Sequence, residues 1–111
     1  MWENAVSVSE KPEQNVEAPT VITLPEVMDV EGAIDAAKRV SEALAGGKAV
    51  ALDGSGIQHI GAPGMQMLLA TYLYDAKYKS AALTALSDAA MRSAEILGAA
   101  KDLHQWKEAR A

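Results

Sequence analysis

The sequence predicts an α/β domain, a mixed and mainly parallel β-sheet packed with three to four α-helices. Three observations carry that prediction. Strand-like and helix-like segments alternate along the chain, short glycine-containing joints separate them, and no internal repeat interrupts the order. The 111 residues are enough for one domain and too few for two. Of the 55 residues in the apolar set, 22 are alanine and only 33 are larger side chains. Such a core packs through close approach of slim elements.

Residues 1–19 stand apart as an acidic segment expected to be flexible. They carry Glu3, Glu10, Glu13 and Glu17 against Lys11, together with Pro12 and Pro19. Ala5-Val6-Ser7-Val8 alternates and is an alternative edge strand. The domain proper is expected over 20–106, with 107–111 as a short tail. Thr20–Leu24 opens it as a short strand that Pro25 stops. Glu31–Ala45 follows as a helix, with Val30, Ala33, Ile34, Ala37, Val40 and Leu44 on one stripe, and Gly46-Gly47 ends it. Lys48–Asp53 (KAVALD) is a buried strand, with Ile57 and Ile60 at its far end. A second helix is expected from Ala62 to Tyr78, with Pro63 in its first turn, where the missing N–H does no harm. Ser80–Leu86 is an apolar strand despite its alanines. Ser87-Asp88 starts a third helix, 88–97, that Gly98 stops. Leu103 and Trp106 then cover the edge of the core.

Composition excludes several function classes. There is no cysteine, so disulfides, thiolate metal sites and cysteine nucleophiles are absent. The net charge of −5 splits into −3 over 1–19 and −2 over 20–111, with no basic stripe. Nucleic-acid binding and polybasic docking to membranes are therefore not expected. No segment has the roughly 20 apolar residues that span a bilayer, and no cationic start leads into an apolar run. The expected compartment is the cytoplasm, without membrane insertion.

The candidate chemistry is thin. His59 and His104 lie 45 residues apart with no ligating neighbours in sequence, so no metal and no cofactor is expected. Asp53-Gly54-Ser55-Gly56 follows a strand but fits neither a phosphate loop nor a nucleophile elbow, because position 59 is His and position 57 is Ile. No enzymatic activity is expected. The second helix is more informative. Met65, Leu68, Leu69, Tyr72, Leu73 and Ala76 share a core sector, whereas Met67, Thr71, Tyr74 and Tyr78 form a second stripe on roughly the opposite side. One reading places those side chains half-exposed between Asp75, Lys77 and Lys79. The other makes them a partner surface of adaptable Met and Tyr side chains.

The run from Val50 to Leu69 resembles the central segment of STAS domains, the family that includes anti-sigma-factor antagonists and the STAS subunits of lipid transporters. The matching pattern is a strand ending in Asp53, a short loop, and a turn that opens a helix carrying Leu68-Leu69. Ser87-Asp88 through Leu97-Gly98 is similar to the family's last strand-to-helix turn. The resemblance covers about residues 20–104 and departs at the functional spot. Where antagonists carry Asp-Ser-x-Gly, this chain has Gly61-Ala62-Pro63-Gly64, so the phosphoacceptor position falls on Ala62, which has no hydroxyl. Ser55, Thr71 and Ser87 remain as hydroxyls elsewhere.

What the resemblance implies is a non-enzymatic binding module in bacterial signal transduction. Its surface would comprise Gln58, His59 and Ala62 in the loop, with Met67, Thr71, Tyr74 and Tyr78 on the helix. The implied partner is a GHKL-type, histidine-kinase-like protein or an anti-sigma factor. Gly61-Ala62, Gln66 and Leu68-Leu69 further resemble STAS proteins of chemotaxis kinase systems. The alternative partner is the ATPase of a lipid-transport ABC system.

Overall fold

The computed structural model describes residues 18–109. The expected flexible segment over 1–19, and its alternative edge strand at Ala5–Val8, lie almost wholly outside those residues. The order of elements is β1 (Thr20–Thr23), β2 (Val27–Met28), α1 (Val30–Ala45), β3 (Val50–Gly54), β4 (His59–Ile60), α2 (Ala62–Tyr78), β5 (Ala81–Leu86), α3 (Asp88–Leu97) and α4 (Ala100–Glu108). The predicted α/β class with a mainly parallel sheet is the fold observed.

Three strands form the main sheet in the order β1-β3-β5, all parallel, with Thr20, Val50 and Ala81 in one row and Ile22, Leu52 and Leu83 in register two positions on. Parallel neighbours need crossover connections, and α1 and α2 supply them. Ile22, Leu24, Val50, Leu52, Ala81 and Leu83 alternate onto the helix-covered face and join buried residues of all four helices in one core. Val21 and Thr23, which alternate with them, are exposed. The alanine-rich β5 is a strand because it lies against β3, where burial of Leu83 outweighs the helical propensity of its alanines.

A second small sheet pairs β2 with β4 in parallel, Val27 with His59 and Met28 with Ile60. The sequence reading missed both strands, since two residues show no periodicity. It also assigned no helix beyond Gly98, whereas α4 is a nine-residue helix that carries Leu103 and Trp106 into the core and extends to Glu108, into the expected tail. The caps on α1 and α3 are side-chain oxygens: Asp29 Oδ1 accepts from Gly32 N–H at 2.9 Å, and Ser87 Oγ from Ala90 N–H at 3.0 Å.

Two expected faces need correction. On α1, Val30 and Ile34 are exposed, while Ala36 is fully buried and shares the inner face with Ala33 and Val40. The helix is turned so that its smallest residues face the sheet, which brings its axis close. On α2, Leu73 is 67% exposed and Ala76 is also exposed, whereas Met67, Thr71 and Asp75 are buried. The buried arc of α2 is wide because the helix packs on β5 and β4 and also against α1 and α4.

Candidate functional site

The loop that opens α2 is tied down by its backbone. The N–H groups of Gln58 and His59 both donate to the Glu26 carbonyl, at 2.8 and 3.1 Å, and Gly61 N–H donates to the Met28 carbonyl at 3.2 Å. Gln58, His59, Ala62 and Pro63 are left exposed. Gly61 is the N-cap of α2 and supplies no side-chain acceptor, and the first turn holds no acid. Gly64 has a packing role. A Cβ there would sit 2.6 Å from the Met28 carbonyl oxygen and 2.8 Å from Ile60 Cγ1, so only glycine lets α2 approach the β2–β4 pair this closely.

The other hydroxyls near this end are committed within the fold. Ser55 Oγ donates to Asp53 Oδ1 at 2.7 Å, and Ser55 N–H donates to the same oxygen at 3.0 Å. The backbone donor, followed by the hydroxyl, holds the Asp53 carboxyl below its ordinary value of 3.8, against a small opposing effect of burial. Ser87 Oγ donates to the Ile57 carbonyl at 2.6 Å while capping α3. Thr71 Oγ1 donates to the Met67 carbonyl at 2.9 Å inside the structure.

The expected partner surface is divided in space. Gln58, His59 and Ala62 lie at the N-terminal end of α2. Tyr74 and Tyr78 lie toward its C-terminal end, about 18 and 24 Å along the axis from Ala62 at the ordinary helical rise of ~1.5 Å per residue. Met67 and Thr71, expected at the surface between them, are only 9% and 7% exposed because α1 lies alongside. Tyr74 and Tyr78 are exposed as expected. Their rings lie 4.5 Å apart at a 40° tilt, and Lys77 Nζ stands 5.3 Å above the Tyr78 ring.

Between α1 and α2 the surface is concave. An open groove of about 470 Å³ has Val40 and Met67 as its floor. Ala37, Ser41 and Leu44 form the α1 wall, and Ala70 and Tyr74 the α2 wall. The groove exists because small residues stand where two packed helices usually present larger ones. Sequence reasoning named its α2 side and missed its α1 side. The available signal was the four-residue spacing of Ala37, Ser41 and Ala45, small side chains that leave a furrow along one helix.

Asp75 was expected as a solvated acid that, with Lys77 and Lys79, flanks the half-exposed stripe. It is buried, 6% exposed, and its carboxylate accepts from Ala81 N–H at 3.0 Å and from Trp106 Nε1–H at 3.2 Å. It thereby joins α2 to β5 and α4, which is a structural role. Among the described residues no group of three or more His, Asp or Glu side chains is placed to hold a metal ion, and no helix is long and apolar enough to cross a membrane. Comparison with family models, curated proteins and solved structures returns no match for this chain.

Proposed function

We propose that this chain is a non-enzymatic, STAS-like protein-binding module in bacterial signal transduction. Its partner is a GHKL-type, histidine-kinase-like protein of the kind used in chemotaxis systems or an anti-sigma factor, met in the cytoplasm. The observation that carries the reading is the surface of α2. One end opens on Gly61-Ala62-Pro63-Gly64, with no hydroxyl at the position of the family's acceptor. The other end presents the paired, tilted rings of Tyr74 and Tyr78 beside a mostly apolar groove. Tyr and Met are enriched at protein interfaces because they supply contact area with few rotatable bonds or with adaptable shape.

The order of parallel strands and crossover helices is compatible with the resemblance, and the fold alone carries no function. Binding at this surface is constitutive with respect to residue 62, since phosphorylation works by adding charge and acceptor oxygens to a hydroxyl. The test is binding of purified kinase-type ATPase domains to the wild type and to the Tyr74→Asp/Tyr78→Asp variant, with circular dichroism to check folding. The reading expects at least a tenfold loss of affinity, the equivalent of about 1.4 kcal/mol. Undiminished binding by a folded double variant overturns it. Incubation with kinase and ATP should leave 61–64 unmodified, and a phosphate adduct on that loop would contradict the reading.

A further inference from the structure

The groove between α1 and α2 has a candidate occupant in the same chain. Its lining is mostly apolar, with the small Ala37 and Ala70 on facing walls, and Met67 in its floor carries a sulfur suited to an aromatic ring. A concavity of about 470 Å³ lies within the range of sites that enclose a compact ligand. The chain has five aromatic residues, and Trp106 is already buried in the core. Trp2 is the other tryptophan, followed by Val6 and Val8.

The chain also enters at the appropriate end. Thr20 N–H donates to the Ala49 carbonyl at 2.9 Å, and Lys48 N–H donates to the Ala43 carbonyl at 3.1 Å. Thr20 therefore begins β1 near the last turn of α1, whose Leu44 stands in the groove wall. The eleven residues 9–19 reach at most about 36 Å, at ~3.3 Å each, ample to pass a helix about 10 Å across. Charge favours the same path. Glu10, Glu13 and Glu17 fall in that stretch, and Lys77 and Lys79 are exposed at the end of α2.

We infer that residues 1–8 dock in cis in the α1–α2 groove through Trp2, with the glutamates of 10–17 running past Lys77 and Lys79. The contact itself stands on the groove and the chain path. Its regulatory meaning rests on the proposed partner surface: an N-terminal segment in the groove competes with any protein that meets Tyr74 and the α1 wall. A partner must displace it, which lowers apparent affinity by the fraction of open molecules.

The test is NMR on the full chain, wild type against Trp2→Ala and against Lys77→Glu/Lys79→Glu, across a dilution series. Docking in cis predicts cross-relaxation between the Trp2 ring and the Ala37, Ala70 and Met67 methyl groups. Trp2→Ala should shift resonances of Ala37, Ser41 and Ala70 and leave Ala90 and Ala94 of α3 unmoved. The double Lys variant should move the same groove signals in the same direction, and dilution should change nothing. Absence of Trp2 contacts and of groove shifts overturns the inference. Contacts that disappear on dilution also overturn it and assign the groove to a second copy. No partner enters the measurement, so its failure is separate from failure of the binding proposal.

Discussion

Asp53 and Asp75 show how two carboxylates of one small domain acquire different tasks. Asp53 ends the central strand and holds the next turn through Ser55. Its folded pKa lies below the unfolded value, so the ionised group favours folding. That contribution is complete above about pH 3.8 and fades as pH falls through the depressed folded value. Ser55→Ala should raise the Asp53 pKa toward its ordinary value in an NMR titration and weaken the acid limb of the stability curve. An unchanged titration would show that the Ser55 bonds do not set it. Asp75 is buried, and its removal strands Ala81 N–H and leaves Trp106 Nε1–H with only its 3.3 Å bond to the Ala81 carbonyl. Asp75→Ala should cost about 2 kcal/mol, the usual penalty for leaving buried polar groups unpaired. In a domain of this size, that lowers the melting temperature by roughly 8–16 °C. Calorimetry checks it.

At the scale of elements, the start of α2 combines a tight joint with an open cap. Gly64→Ala drives a Cβ against the Met28 carbonyl and Ile60, and overpacking of this kind costs about 1–3 kcal/mol. Gly61 has room for a side chain, since a Cβ there meets only Pro63 Cδ at 3.8 Å. Gly61→Asp supplies the missing cap and an acid beside the helix dipole, and should stabilise by about 0.5 kcal/mol in denaturant unfolding. Periodicity and caps made the three longer helices and the three strands of the main sheet legible in the sequence. The β2–β4 pair was not legible, because two-residue strands arise only when tertiary folding brings them together. The orientation of α1 escaped for a related reason. A hydrophobicity stripe favours Val30 and Ile34, whereas close packing on the sheet selects Ala33 and Ala36. Of the four helical positions in the candidate surface, Tyr74 and Tyr78 are exposed, while Met67 and Thr71 were placed outside because one helix was read without its neighbour.

For the whole molecule, the scarcity of large side chains has two consequences. It lets four slim helices cover a small sheet, and it leaves a furrow where Ala37, Ser41 and Ala70 face one another. Charge is distributed to match: −3 of the net −5 lies in residues 1–19, and the remainder is nearly balanced. The proposed binding role needs no more chemistry than that, and it turns on where contact occurs. Hydrogen–deuterium exchange on the full chain, with and without a kinase-type ATPase domain that binds it, locates the contact directly. The account predicts added protection confined to the Gln58–Ala62 loop, the outer side of α2 through Tyr78, and the α1 wall of the groove. Protection confined to α3 or to the exposed face of β1, with α1 and α2 unchanged, would contradict it.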